Sequence, residues 1–131
     1  MKAPIYDHGP RRVYWELTRA CDLACRHCRA EAQRDRAPDE LTTAECEQVL
    51  DALAMAAAPG PHVIFTGGDP LKRPDLIHLV RAAVARGLGV SVAPSATLAL
   101  THDVVQNVWA LAVWRSALAD EPAEAAVARV T

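Results

Sequence analysis

Three cysteines fall within one short stretch, Cys21-Asp-Leu-Ala-Cys25-Arg-His-Cys28, in the spacing C-x-x-x-C-x-x-C. Three thiols this close are too crowded to pair off as disulfides, and one is always left over. They can instead wrap a soft metal centre. An iron–sulfur cluster takes thiolates at such short spacings and ordinarily uses four of them. Three would leave one iron without a protein ligand, and so open to chemistry. The rival arrangement is a small structural zinc site with His27 or Cys46 as fourth ligand, although the paired C-x-x-C motifs or regularly spaced histidines of zinc knuckles are missing. Cys46 falls on the apolar side of a predicted helix and reads as a buried structural thiol. His8, His62, His78 and His102 are scattered and read as surface or satisfied side chains. The charges between Arg26 and Arg36 read as a solvated loop whose arginines could meet an acidic substrate.

The elements that must position these residues can be read from periodicity. Residues 13–17, Val-Tyr-Trp-Glu-Leu, alternate apolar and polar and predict a strand that ends just before the cysteines. Thr42 with Glu45 three residues on forms a capping-box signature, and Cys46, Val49, Leu50 and Leu53 then mark one buried helix face. Pro59-Gly-Pro61 stops that helix. The apolar, β-branched run His62–Thr66 predicts a second strand, which runs into Gly67-Gly68-Asp69-Pro70. A second helix is expected from Pro74, with Leu76, Leu79, Val80, Ala83 and Val84 on its apolar side and Gly87 just past its end. Val90–Ala93 predicts a third strand ending at Pro94-Ser95, and a weaker helix starts near Thr101 and includes Val104, Val105, Val108, Leu111 and Ala112. Strands alternating with helices imply a parallel sheet with right-handed crossovers, and such folds bind ligands at the carboxyl ends of the strands. The cysteines, the Gly-Gly-Asp-Pro turn and Pro94-Ser95 all follow strand ends, so all three are expected on one rim.

Composition narrows the classes. The chain has 131 residues and a formal net charge of −2, which gives no basic footprint for nucleic acid and no charged membrane surface. Charges or prolines interrupt every apolar run before it reaches spanning length. The N-terminal Met-Lys-Ala-Pro-Ile-Tyr-Asp-His lacks the apolar stretch of a secretory signal. A cytoplasmic protein is therefore expected, a setting in which cysteines are metal-binding or catalytic more often than disulfide-bonded.

The segment Trp-Glu-Leu-Thr-Arg-Ala-Cys21-x-x-x-Cys25-x-x-Cys28, followed by Thr66-Gly-Gly-Asp-Pro70, resembles the N-terminal part of a radical S-adenosylmethionine (SAM) enzyme. The resemblance covers roughly residues 11–101. It is nearest to the subgroup whose full-length members carry a C-terminal auxiliary-cluster (SPASM) domain. It implies that Cys21, Cys25 and Cys28 hold a [4Fe–4S] cluster whose fourth iron is chelated by the amino and carboxylate groups of SAM. It further implies one-electron cleavage of the sulfonium to methionine and a 5′-deoxyadenosyl radical, which takes a hydrogen atom from the substrate. His27 occupies the place of the aromatic residue that passes the adenine. Gly67, Gly68, Asp69 and Pro70 match the turn that accepts the methionine amino group, since glycines let backbone come close and expose carbonyls. Pro94, Ser95 and Thr97 stand where the end of the third strand could approach the cofactor. Implied partners are a peptide or small-molecule substrate, with haem-related decarboxylation as one candidate reaction, and an electron donor such as flavodoxin or ferredoxin.

The resemblance also implies an α/β fold, a partial TIM-like barrel of six strand–helix units, of which this chain has material for about three. The expected organisation is an N-terminal extension (1–12), a truncated core (13–112) and a divergent alanine-rich tail (113–131). The tail is expected to derive from a frameshift near residues 108–113, where relatives would continue into a fourth strand. Trp109 and Trp114 are expected to pack rather than bind. A truncated core leaves a second expectation beside the enzyme, an inactive remnant that only binds a cluster. Pairing of two copies could in principle complete the half-barrel.

Overall fold

A computed structural model describes residues 9–107. Among the described residues the main elements follow in the order β1 (Arg12–Thr18), α1 (Thr43–Ala56), β2 (His62–Gly67), α2 (Leu76–Ala85) and β3 (Gly89–Val92). A 3-10 turn, Pro70–Lys72, lies between β2 and α2. The strands form one parallel sheet in the order β1-β2-β3. This is the α/β arrangement expected of a partial βα barrel, and each strand lies within one or two residues of its predicted bounds.

Register fixes what reaches the rim. Trp15 pairs with Phe65 and Glu16 with Thr66, after which β1 slips so that Thr18 stands opposite Gly67. On the other side Phe65 pairs with Val92, and one further ladder bond runs from Ala93 N to Phe65 O. All three strands therefore finish level, as the sequence predicted.

β2 lies between its neighbours and buries Val63 and Phe65 completely. The apolar faces of both helices meet it. Cys46 and Leu50 of α1, and Leu76, Leu79, Val80 and Ala83 of α2, form one core with Leu17, Val63, Phe65 and Leu88. Trp15 packs its ring on Phe65 at 5.8 Å between centroids. The opposite sheet face carries Tyr14 and Glu16 from β1, His62, Ile64 and Thr66 from β2, and Ser91 from β3. Across it His62 Nε2 lies 2.7 Å from Ser91 Oγ. That mixture suits a face turned towards a ligand space rather than a second core.

Local chemistry sets the helix ends. Thr42 Oγ1 accepts from Glu45 N at 3.3 Å and Glu45 Oε2 accepts from Thr42 N at 2.7 Å, which is the reciprocal capping box expected. Gly87, at φ +77°, closes α2. Its N–H donates to Val84 O and the next N–H, from Leu88, reaches back to Ala83 O, the paired bonds of a Schellman motif, with the buried Leu88 as its apolar contact. At the front of α2 the prediction from Pro74 runs early. Leu76 N bonds to Arg73 O in a tighter turn, and the regular helix begins at Leu76.

Residues 102–107 are helical, with Thr101 Oγ1 accepting from Val104 N. Val108, Leu111, Ala112, Trp109, Trp114, His8 and the tail 113–131 lie outside the described residues. Among the described residues no helix is long and apolar enough to cross a membrane.

Candidate functional site

The chain leaves β1 into the cysteine loop through a narrow neck. Cys21 N donates to Gln33 O and Gln33 N donates to Arg19 O, both at 2.7 Å, so Ala20 and Gln33 form a short parallel bridge. Arg19 Nη2 adds a bond to Glu31 O at 2.9 Å. The excursion between residues 21 and 33 is thus tied at its foot and free to follow its own path above it. Cys21 is buried, Cys28 half-buried and Cys25 exposed, and all three are free thiols.

Two of the sulfurs already receive backbone donors: Leu23 N points to Cys21 Sγ and Ala32 N to Cys28 Sγ, each at 3.4 Å. Donors of this kind stabilise negative charge on sulfur and tune a cluster held there. A hollow of about 310 Å3 opens beside them, lined by Cys21, Asp22, Ala24, Ala32, Gln33 and Arg34. Among the described residues no three His, Cys, Asp or Glu side chains converge on a point that could hold a single metal ion. The donor set, three free thiols with N–H groups aimed at two of them, fits an iron–sulfur cluster.

The turn after β2 is pressed against this neck. Gly68 N donates to Thr18 O at 2.8 Å and Asp69 N to Ala20 O at 2.7 Å. A β-carbon on Gly67 would stand 2.2 Å from Thr18 O, and one on Gly68 would stand 2.4 Å from Ala20 O. The two glycines are therefore required by the close approach of the turn to the chain entering the cysteine loop. Asp69 is fully buried and its carboxylate is engaged within the rim: Oδ1 accepts from Leu71 N at 3.1 Å and Oδ2 from Thr97 Oγ1 at 2.9 Å. Pro70, also buried, starts the 3-10 turn. Lys72 Nζ in that turn pairs with Asp22 Oδ1 at 2.8 Å, which joins the two loops again.

β3 contributes the third part. Ser95 Oγ donates to Gly68 O at 2.7 Å and accepts from Cys21 Sγ at 3.4 Å. Cys21, Ser95 and Gly68, read from the sequence as separate features of three strand ends, form one hydrogen-bonded chain. Thr97 joins it through Asp69. Pro94 is half-buried, and His27 is exposed in the cysteine loop.

Beneath the rim is a polar network that the sequence reading did not single out. Arg73, 3 % exposed, donates from Nη1 to the carbonyls of Leu17 and Leu41 and grips Asp75 with its other nitrogens. The Arg73 hydrogen bond holds the Asp75 carboxyl down to about 2. Burial alone would raise the Glu40 carboxyl, but hydrogen bonds from Thr18 and Arg36, and the Arg36 charge, bring it below its ordinary value. Thr18 Oγ1 donates to Glu40 and accepts from Ala20 N, so the network reaches the neck itself. Cys46 is fully buried behind it, as predicted, and burial pushes its thiol up.

Residues 15–112 match a family model described as the radical SAM superfamily. Among curated proteins, an AdoMet-dependent heme synthase of Oleidesulfovibrio alaskensis is 44% identical over 108 residues, which are 81% of this chain and 27% of that protein. An AdoMet-dependent heme synthase of Nitratidesulfovibrio vulgaris is 36% identical over 129 residues, 91% of this chain and 34% of the relative. A PqqA peptide cyclase of Bradyrhizobium diazoefficiens is 39% identical over 89 residues, 68% of this chain and 23% of the cyclase. The chain thus spans between about a quarter and a third of the length of these relatives.

Proposed function

The chain belongs to the radical SAM superfamily, whose members use a [4Fe–4S] cluster and SAM, and we propose that it holds that cluster through Cys21, Cys25 and Cys28 and receives SAM at the turn Gly67–Pro70. The chemistry the two cofactors supply when bound is one-electron reductive cleavage of the sulfonium, giving methionine and a 5′-deoxyadenosyl radical that abstracts hydrogen from an organic substrate. The observation that carries the reading is the meeting of the cysteine neck and the glycine turn at Ala20 and Asp69, which sets free thiols beside the Gly67–Pro70 turn on one rim.

The residues divide the work. Leu23 N and Ala32 N orient two sulfurs and stabilise charge on them. Gly68 presents a carbonyl to the rim, an acceptor suited to an ammonium group. Asp69 serves through its backbone, its carboxylate being used to shape the turn. His27 would pass the adenine, as the resemblance implies, and residues 13–112 would form the core.

For substrate we favour a tetrapyrrole precursor over a peptide, because heme synthases match over 108 and 129 residues while a peptide cyclase matches over 89. A flavodoxin- or ferredoxin-type donor would supply the electron, and a cytoplasmic setting would keep the thiols reduced.

The test is anaerobic reconstitution with iron and sulfide, then dithionite and SAM, with chromatographic assay of 5′-deoxyadenosine. Product that depends on Cys21, Cys25 and Cys28 supports the proposal. A brown protein without product reduces the chain to a cluster-binding remnant, and a protein without iron and sulfide sinks the ligand assignment.

A further inference from the structure

We propose that Ser95 is a positioning residue for the cluster: its hydroxyl becomes the hydrogen-bond donor to the Cys21 sulfur when that sulfur holds iron, and in turning to it opens the Gly68 carbonyl to an ammonium group. The inference rests on the assignment of Cys21 as a ligand.

The argument is a count of hydrogens. Ser95 Oγ lies 2.7 Å from Gly68 O and 3.4 Å from Cys21 Sγ. A serine hydroxyl has one hydrogen to give. With Cys21 as a thiol, the S–H donates to Ser95 and the Ser95 hydrogen goes to Gly68, so the chain is complete and the carbonyl is occupied. A sulfur bound to iron has no hydrogen and only accepts. The Ser95 hydrogen then has two acceptors, and the negatively charged sulfur is the stronger of them. Once the hydroxyl turns, Gly68 O has no other partner among the described residues. An ammonium group, such as the one SAM carries, supplies a replacement.

The position of Ser95 makes this more than a local contact. The other donors to the cysteine sulfurs are backbone N–H groups of the loop itself, Leu23 to Cys21 and Ala32 to Cys28. Ser95 is the one side chain among the described residues that hydrogen-bonds any of the three sulfurs, and it arrives from the far end of β3, 74 positions along the chain. It therefore ties the electronic state of the loop to the closure of the sheet. A hydrogen bond to a ligating sulfur stabilises the more negative, reduced cluster and raises its potential.

The experiment is an anaerobic redox titration of the reconstituted 131-residue chain followed by EPR, comparing wild type, Ser95→Ala and Ser95→Thr. Iron and sulfide contents are expected to be equal. The Ser95→Ala midpoint is expected to move to more negative potential, with Ser95→Thr at the wild-type value. Added SAM should perturb the reduced-state spectrum of Ser95→Ala as it does that of wild type, because Gly68 O is open in both. Coincident midpoints for Ser95→Ala and wild type would overturn the inference alone. So would a Ser95→Ala cluster that no longer responds to SAM, since Ser95 would then act by holding Gly68. A wild-type chain that takes up no iron and sulfide overturns the ligand assignment and this inference with it. Should Ser95→Ala not fold, the near-isosteric pair Ser95→Thr and Ser95→Val repeats the comparison.

Discussion

The guanidinium of Arg73 meets the carboxylate of Asp75 through two nitrogens, Nε at 2.9 Å and Nη2 at 2.6 Å, while Nη1 holds the carbonyls of Leu17 and Leu41. A buried cation is costly unless its hydrogens are satisfied and its charge is matched. Here both conditions are met by the end of β1, the approach to α1 and the residue just before α2. The pair is thus a joint between elements, seated directly below the rim.

Asp75 makes the joint sensitive to acid. Its folded value of about 2 lies below the ordinary 3.8, so its contribution is fully present above the ordinary value and is lost as pH falls through about 2. The difference corresponds to about 2 kcal/mol. Urea unfolding across a pH series should show stability falling through that window. Asp75→Asn should lose a similar amount at neutral pH and show a flatter acid limb; an acid limb unchanged by the substitution would refute this role.

The turn glycines should be intolerant of a single methyl group. Gly67→Ala and Gly68→Ala drive a β-carbon into the backbone of Thr18 and Ala20, where nothing flexible can yield. We expect each to cost roughly 3 kcal/mol or more, or to abolish folding. Gly87→Ala meets nothing within 4 Å but keeps φ at +77°, so about 1 kcal/mol is expected. Thermal unfolding of the three variants gives the order, and a Gly68→Ala protein as stable as Gly87→Ala would contradict the close approach.

Cysteine variants separate ligands from packing. Replacing Cys21, Cys25 or Cys28 with Ala should abolish the visible absorption of the reconstituted protein. Cys46→Ala should keep it, at a stability cost of about 1 kcal/mol from the small cavity left in the core. Loss of colour in Cys46→Ala alone would overturn the assignment.

The ion pair between Lys72 and Asp22 is partly exposed, with side chains 30% and 51% accessible. Its removal by Lys72→Ala should leave global stability nearly unchanged. Faster amide exchange is nevertheless expected across residues 22–32, because one tie between the loops is gone. Exchange confined to the wild-type rate would show that the neck at Ala20 and Gln33 suffices.

What the sequence made legible was what short range decides. The capping box at Thr42 and Glu45, the stop at Gly87 and the three strand ends depend on neighbouring residues, and each lies where periodicity placed it. The cysteines and Gly-Gly-Asp-Pro could be placed on one rim because parallel strands finish together. Arg73 gave no such sign. Its partners Leu17, Leu41 and Asp75 come from three segments, and no spacing in the chain announces a staple that forms only after they assemble. The bond of Ser95 to Cys21 was hidden for the same reason. Even the glycines point, in the sequence alone, to a ligand's approach, whereas the first thing they approach is the neighbouring strand end.

The graded exposure of the three sulfurs decides how the bare chain ages in air. Peroxide and oxygen reach Cys25 before the buried Cys21 or the half-buried Cys28. The resulting sulfenic acid can be carried on to the sulfinic acid, which does not return to a thiol. One such event removes one of three candidate ligands without unfolding anything, since that sulfur does not belong to the core. A preparation could then look intact by every measure of fold and still be unable to take up iron, and a thiol count would reveal it.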